Sequence, residues 1–565
     1  MSVQSIANFD SGKLRIIPFG GCGEFGMNFT AYIIEDRIYL VDAGVSFPDP
    51  SKLGVEAIYP DLDPWLKQFG GVYAYIITHG HEDHIGAMPY MLKKWPGPVY
   101  ATPWTAALIR NKLQRREVSS KYDIIEVQAG DVVQTEDFTV EYVHVNHSIP
   151  HACALLIKTP NLKVLHTGDF KFDYTPIGEK TANLTRLKEI GDSKVDLLLA
   201  DSTNAHIPGP SPSETVVIGP MKKAFELAPG AVLVTTFSSN LWRLKTILDT
   251  CEATGRKALV LGTGIETSLN IASELGLYKA PPGLIVDPST SHSLPRKKLA
   301  VLLTGSQGEW RSALMRLALG EHKLFSILPD DLVVFSSRTI PGNERVIQTM
   351  MSLLERRGAR IYSARDDKDI HVSGHAYRDD LKTMISAIKP KAFIPIHGTF
   401  SHMNSNGRIP DELGLKSTKT YLVENGDIID LTASGVELCD RLSIDHKFVE
   451  SESYISIDYE NMRERLRIGE LGVVVVTMPY DSQEQDLCGD PKITIQGLGS
   501  PDGMNPSDIE KGCQNAAKKS LRKALEDKVK TEKDLTERVR VDVRRYLAKT
   551  CNKKPVVIVH IHSIV

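Results

Sequence analysis

Cysteine is scarce: the chain has seven in 565 residues, and none forms a CxxC pair. The number is odd and the spacing wide, so a secreted disulfide framework is not expected. No apolar run approaches ~18 residues, so no transmembrane helix is expected. Residues 1–10 lack the basic-then-apolar pattern of a secretory signal. Charge of either sign is not in excess: 67 Lys+Arg stand against 70 Asp+Glu, a net charge of −3. Any nucleic-acid-binding surface must therefore be local. There is neither a repeat of fixed period nor a low-complexity linker. A soluble, cytoplasmic protein without a membrane partner is the expectation. What is present is globular: 42% hydrophobic and 24% charged residues, with 42 Gly and 31 Pro. Wholesale disorder, collagen-like and coiled-coil chains are excluded.

The first two hundred residues alternate short apolar runs with turns. Residues 14–18, 29–35, 37–42, 74–78, 138–145, 154–158, 163–166 and 196–200 read as strands, with helical patterns at 85–94 and 104–114. From about residue 209 the rhythm becomes strand–helix. Helical segments 216–227, 241–254, 266–277 and 343–357 alternate with apolar runs at 231–235, 258–261, 299–304 and 332–336. Such runs read as buried parallel strands of a doubly wound α/β unit. Strand-like segments return at 392–396 and 420–422. In the tail, 469–477, 492–496 and 555–561 read as strands, and 507–528 and 531–549 as charged amphipathic helices.

The strongest chemical signal is Thr78-His79-Gly80-His81-Glu82-Asp83-His84. Three imidazoles and two carboxylates fall within six positions, directly after an apolar strand. These are nitrogen and oxygen ligands that zinc and similar divalent ions accept. Strand alternation puts His79 and His81 on one side. The following turn into a helix lets Asp83 and His84 face a second position. One loop can thus serve two cations. His147 and Asp169 follow other strands. Alone they read as ordinary loop residues, but beside this cluster they become ligand candidates, since a shared carboxylate offsets the repulsion of two cations.

The order HxHxDH, then His147, then Asp169 resembles the metallo-β-lactamase superfamily, and Asp42 in Val41-Asp42-Ala43-Gly44 matches its first motif. Asp201-Ser202-Thr203, His375 in His371-Val372-Ser373-Gly374-His375, and His397 in Pro395-Ile396-His397-Gly398 resemble the three extra motifs of the β-CASP nucleases. Gly305-Ser306-Gln307-Gly308-Glu309 after Thr304, Ser336-Ser337, Ile340-Pro341-Gly342-Asn343-Glu344 and Asn146-His147-Ser148-Ile149-Pro150 look like the bacterial ribonuclease J family. The resemblance runs from about Leu14 to about Leu442. The tail has the family's size and pattern without a sharp motif. Two departures stand out: His151, where an acidic residue is usual, and Trp310-Arg311, where Pro is common. Neither touches a ligand position.

The resemblance implies an α/β fold: a metallo-β-lactamase αββα sandwich with an inserted doubly wound β-CASP domain and a small α/β C-terminal domain. The implied limits are 1–208 and 369–450 for the sandwich, 209–368 for the insert and 451–565 for linker and tail. It implies two divalent metal ions per subunit, zinc first and manganese second. His79, His81 and His147 would hold one ion. Asp83, His84 and His397 would hold the other, and Asp169 would bridge. Asp42 would order the loop by hydrogen bonding. The cations activate water near neutral pH. Asp83 would also orient that water, His375 would contact the scissile phosphate and assist the leaving oxygen, and Asp201 would hold an imidazole or the water in register. The implied activity is hydrolysis of single-stranded RNA from 5′ to 3′, favouring 5′-monophosphate ends, with internal cleavage secondary. RNA maturation and decay, including rRNA processing and mRNA decay, would be its setting.

Substrate contacts are expected at Ser238, Ser239 and Asn240, before a helix whose N-terminus favours anions. They are expected also at Ser306 in a glycine-bounded turn, and at His371, Ser373, Gly374 and His375, where the resemblance implies a grip on the terminal phosphate. His560 and His562 read as an exposed or interface face. The tail's charges read as a solvated face. A homodimer or homotetramer is expected by analogy, with RNA-decay or ribosome-associated partners open. The alternatives are a DNA-processing β-CASP nuclease, disfavoured by His397 where DNA enzymes carry a Val-like residue, and a non-catalytic RNA-binding scaffold, disfavoured because all seven ligand positions are filled.

Overall fold

A computed structural model describes residues 12–48, 54–118, 122–291, 293–340, 342–451, 453–481, 483–484, 486–501, 504–529 and 531–563. Residues 1–10 and Pro341, read above, lie outside the described residues. The described residues of 1–49 and 56–446 form one compact unit, and those of 50–55 and 447–565 form another.

Two large sheets make the core of the first unit. One is eight-stranded, in the order Gly435–Arg441, Asp427–Thr432, Leu14–Gly20, Phe29–Ile34, Arg37–Val41, Ala74–Ile76, Val99–Ala101, Ile124–Glu126. The other is seven-stranded: Lys419–Thr420, Ala392–Ile396, Leu197–Asp201, Lys163–His166, Cys153–Lys158, Thr139–His144, Val132–Gln134. Strand alternation explains why they stack. Leu197 and Leu199 join Tyr32, Tyr39, Ile76, Tyr142 and Ile394 in a cluster between the sheets. Leu198 and Ala200, on the opposite face of the same strand, pack instead with Leu187, Ile190, Leu381, Met384 and Ile388. Those partners belong to the helices Leu184–Asp192 and Arg378–Ile388, which cover the outer face.

The insert is a five-stranded, wholly parallel sheet in the order Lys257–Leu261, Leu299–Leu303, Val232–Thr235, Leu332–Phe335, Arg360–Tyr362. Two separate buried clusters, one per face, explain its near-continuous apolar strands. Numbering its strands by sequence gives 2-3-1-4-5, a doubly wound order. The loops carrying Ser238–Asn240 and Ser306 leave the C-terminal ends of two of these strands, the edge where open α/β sheets bind ligands.

The second unit centres on Val473–Asp481, flanked by antiparallel Lys492–Gln496 and parallel Val556–Ser563. Helices Pro506–Glu526 and Glu532–Cys551 pack on it through Ile509, Cys513, Ala517 and Leu521, and through Leu535, Val539, Val543 and Leu547. The four-residue spacing is one helical face. Their charges pair locally, Lys518 with Asp490, Arg538 with Asp527 and Arg540 with Glu537. No helix among the described residues is long and apolar enough to cross a membrane.

Several local expectations shift. The helix expected over 85–94 is two, Glu82–Ile85 and Met88–Lys94, broken at Gly86 and Ala87. The strand expected from 469 starts at Val473, because helix Tyr459–Leu471 runs through Gly469 and ends at Gly472, whose φ of +78° suits glycine. The segment 216–227 opens as a 3-10 turn, Glu214–Val217, before the α-helix Ile218–Leu227.

Leu199→Ala opens a cavity between the stacked sheets. It is expected to destabilise the first unit by about 2–5 kcal/mol, read as a lower denaturant midpoint. An unchanged midpoint would show that the two sheets do not share this core.

Candidate metal centre and nucleic-acid site

Every acidic and imidazole side chain of the site leaves the same end of the sandwich. His79 follows Ala74–Ile76, His147 follows Thr139–His144, and Asp169, Asp201 and His397 come from Lys163–His166, Leu197–Asp201 and Ala392–Ile396. The last three strands are neighbouring and parallel, so their C-terminal ends coincide. His81 caps the short helix Glu82–Ile85, and Asp83 and His84 occupy its first turn.

The side chains form three overlapping groups that share one carboxylate; two hold the expected ligands, and Asp169, Asp201, His375 and His397 make the third. His79, His81, His147 and Asp169 bring donor atoms within 4.8 Å of one another, and so do Asp83, His84, Asp169 and His397. In the first group His79 Nε2 and His147 Nε2 lie 3.2 and 3.0 Å from His81 Nδ1, and 3.6 and 3.7 Å from Asp169 Oδ2. In the second, His84 Nε2 is 3.2 Å from Asp169 Oδ2, His397 Nδ1 is 3.0 Å from Asp169 Oδ1, and His397 Nε2 is 3.3 Å from Asp83 Oδ2. Donors about 2.0–2.1 Å from a common cation stand roughly 3–3.4 Å apart. The observed separations fall close to that range. Asp169 Oδ2 is buried and accepts no hydrogen bond, although four imidazole nitrogens lie within 3.8 Å of it. A buried carboxylate oxygen without a donor is costly unless a cation faces it. The residues present therefore fit a pair of divalent ions.

Outer contacts orient the rings. Asp42 Oδ1 accepts the Thr78 N–H at 2.8 Å, and Oδ2 accepts the Thr78 hydroxyl at 2.8 Å and faces His84 Nδ1 at 2.6 Å. Asp42 itself is in left-handed backbone at φ +62°, a conformation Asp tolerates better than most residues. His147 Nδ1 donates to the Gly374 carbonyl at 2.7 Å, which leaves Nε2 as the lone-pair nitrogen. His375 Nδ1 lies 2.9 Å from Asp201 Oδ2, and Asp201 Oδ1 accepts the N–H and hydroxyl of Thr203.

Burial pushes His79 and His147 well below their ordinary values and His81 to about 4, so these three rings are neutral and could each offer a lone pair. Burial opposes charge on His84 too, but Asp169, Asp83 and Asp42 outweigh it and raise it well above the usual value. His397 and His375 are raised against burial by Asp169 and by Asp201, respectively. Burial disfavours the charged carboxylates of Asp83, Asp169 and Asp201, yet the surrounding imidazoles hold all three low.

The expected substrate residues take different places. Asn240 is buried, and its side-chain oxygen accepts the Arg243 N–H at 3.0 Å, capping its own helix. Ser306 is buried beside Gln307. Ser238 and Ser239 are half-buried on the same edge. Ser373 Oγ accepts from Asn204 Nδ2 at 2.9 Å and from the His375 N–H at 3.2 Å. His560 and His562 are exposed and stack at 6.2 Å in the other unit. Sequence reasoning missed Asn204, which also accepts Arg338 Nη1 at 2.7 Å and so ties an insert loop to the 371–375 loop. It also missed the structural use of the Gly374 carbonyl. Neither carries a local signal, since each partner lies more than a hundred residues away.

Comparison with known proteins accords with this architecture. Residues 37–206 match the beta-lactamase superfamily domain, 229–354 the Ribonuclease J beta-CASP domain, 366–406 the Zn-dependent metallo-hydrolase RNA specificity domain and 461–564 the Ribonuclease J C-terminal domain. Ribonuclease J of Helicobacter pylori (strain ATCC 700392 / 26695) is 33% identical over 554 residues, 98% of this chain and 80% of its own. The chain belongs to the ribonuclease J family. It is a hydrolase of that family, built on the metallo-β-lactamase sandwich. Ribonuclease J 1 of Streptococcus pyogenes is 32% identical over 97% of both chains, and Ribonuclease J2 of Bacillus subtilis 33% over 86% and 87%. A crystal structure of a protein of unknown function from Enterococcus faecalis V583 shares the fold, with a TM-score of 0.53 at 17% identity, over 74% of this chain and 100% of its own.

Asp169 belongs to both donor groups, whereas His81 and His84 each belong to one. Elemental analysis is expected to find two divalent ions per wild-type chain, loss of both in Asp169→Ala, and retention of one in His81→Ala. Equal retention in all three proteins would refute a shared carboxylate. The backbone of Gly44 also bears on this centre. A Cβ there would overlap the Asp83 carbonyl oxygen, which accepts the Asn28 N–H at 2.9 Å. Gly44→Ala is expected to lower metal content and stability together, and normal loading would refute that coupling.

Proposed function

We propose that this chain is a metal-dependent ribonuclease that hydrolyses single-stranded RNA from the 5′ end, preferring 5′-monophosphate, with internal cleavage as a secondary activity. The observation that carries the reading is the buried Asp169 carboxylate, shared by two imidazole-rich donor groups and adjoining the 371–375 loop through the His147–Gly374 bond. His79, His81 and His147 would hold one ion, Asp83, His84 and His397 the other, and Asp169 both. Zinc is the first choice for this nitrogen-rich set and manganese the second. Bound there, the ions would supply an activated water and offset charge on the phosphoryl oxygens.

The chain's own residues do the rest. Asp83, on a helical first turn and half-buried, aligns the attacking water. Asp201 receives the Nδ1 proton of His375 and so keeps Nε2 turned outward. His375 then contacts the scissile phosphate and assists the leaving 3′-oxygen. His371, Ser373 and Gly374 face the terminal phosphate, and Ser238 and Ser239 line the insert edge that guides the strand, while the buried Asn240 and Ser306 hold the loops of that edge. A terminal-phosphate site close to the reaction centre favours release of mononucleotides. A cytoplasmic setting in RNA maturation and decay, as a homodimer or homotetramer, completes the reading.

The test uses 5′-monophosphorylated, 3′-labelled single-stranded RNA and the matching DNA. Mononucleotide release from RNA is expected, falling at least about a hundredfold in His81→Ala or after chelation. Equal cleavage of DNA would move the assignment to DNA processing. Binding without hydrolysis would move it to a scaffold.

A further inference from the structure

Arg243 is fully buried and has no place in the mechanism above. Its helix, Leu241–Ala253, begins at the C-terminal edge of the insert's sheet. Glu214 takes one side of the guanidinium, with Nε–Oε1 at 2.5 Å and Nη2–Oε2 at 3.0 Å. The Glu214 N–H bonds Asp173 Oδ2 at 2.9 Å, and that carboxylate faces the buried Lys171 ammonium at 3.5 Å. Two buried cations therefore flank two buried carboxylates, which the Glu214 N–H links. The remaining nitrogen, Nη1, reaches Ser336 Oγ at 2.7 Å, the Ser336 carbonyl at 3.0 Å and His371 Nδ1 at 3.2 Å.

The last contact constrains the imidazole. A guanidinium has donors only. A proton on His371 Nδ1 would point at an N–H, so Nδ1 must carry the lone pair. The Ser336 carbonyl is an acceptor that the ring also reaches, but it already accepts from Thr236 Oγ1 at 3.1 Å and from Arg243 Nη1 at 3.0 Å. Burial, and next the Arg243 charge, hold this imidazole well below its ordinary value, so the ring has a single proton near neutrality. With Nδ1 excluded, that proton sits on Nε2.

We propose that Arg243 is a positioning residue that fixes the His371 tautomer, so that His371 offers an Nε2–H donor to a phosphate monoester at the RNA 5′ end. This rests on the reading of the 371–375 loop as the terminal-phosphate site. A monoester brings acceptor oxygens to that donor. A 5′-hydroxyl end leaves the donor without an equivalent partner, which disfavours it. The locked ring thereby contributes to end selection.

The experiment has a spectroscopic and a kinetic arm on the full chain loaded with zinc. In 15N-histidine-labelled protein, with the His371 signals assigned by their loss in His371→Gln, a neutral Nε2-protonated ring is expected. Arg243→Gln combined with Glu214→Gln removes the ion pair without stranding a buried charge. It is expected to mix the tautomers and to cut the kcat/KM ratio of 5′-monophosphorylated over 5′-hydroxyl RNA by about tenfold. His371→Gln, which keeps an N–H near the Nε2 position, is expected to retain more of that ratio than His371→Leu. A ring protonated on Nδ1, or doubly protonated, overturns the inference even where the wild-type ratio is large. So does an unchanged ratio in the double variant. A wild-type ratio near one overturns the terminal-phosphate reading and this inference with it.

Discussion

The site depends on one buried carboxylate. Asp169 is withdrawn from water, and its Oδ2 has imidazole nitrogens within 3.8 Å from His79, His84, His147 and His375. An isolated ionised carboxylate in such a place is very costly. The protein tolerates it because the charge is shared. Imidazoles converge on it from four segments of the chain, and those segments can meet only because neighbouring strands end at one edge. The αββα sandwich is thus the scaffold that brings Asp169, Asp201 and His397 to the same level, three strands wide. Remove the stacking of the sheets and the donors disperse, because none of these strand ends is held by local structure alone.

The same logic explains the outer contacts. His84 and His147 each make a hydrogen bond with the ring nitrogen that does not face Asp169, to Asp42 and to Gly374 respectively. These bonds fix which nitrogen presents its lone pair inward. Asp42 does this from left-handed backbone, and His397 also lies at a positive φ, +55°. Strain of this kind is held in place by surrounding bonds, here the His397 N–H to the Gly21 carbonyl at 2.7 Å.

How much of this was legible in the sequence follows from distance along the chain. The run from His79 to His84 is contiguous, so strand alternation and a helical turn were enough to sort it into two facing sets. His147, Asp169 and His397 sit alone in unremarkable loops. His147 and Asp169 became candidates only beside that run, and His397 only through the order of motifs shared with a known family. The doubly wound insert was legible because parallel strands buried on both faces read as unbroken apolar runs. Its strand order was not, since 2-3-1-4-5 is set by which edges pair, and no local pattern records that. Helix Leu184–Asp192 escaped notice because only Leu187 and Ile190 are buried along it, too few for a visible period. The contacts of Asn204, Arg243 and Gly374 were invisible for a related reason. An amide, a guanidinium and a backbone carbonyl acquire their use only from partners far away in sequence.

The insert and the sandwich meet at the 371–375 loop, which is held from both sides. On one side Gly374 holds His147, which faces the reaction centre. On the other, Arg243 of the insert contacts His371 and Ser336 Oγ donates to the neighbouring Ile370 carbonyl. Asn204 bridges the middle, bonded to Ser373 and to Arg338. A sandwich without the insert would keep both donor groups, because every member of them comes from sandwich strands and their loops. It would lose the buried Arg243 guanidinium that contacts His371. The two donor groups and the 371–375 loop therefore depend on different parts of this architecture: the first on strand ends of the sandwich, the second also on side chains that only the insert brings to it.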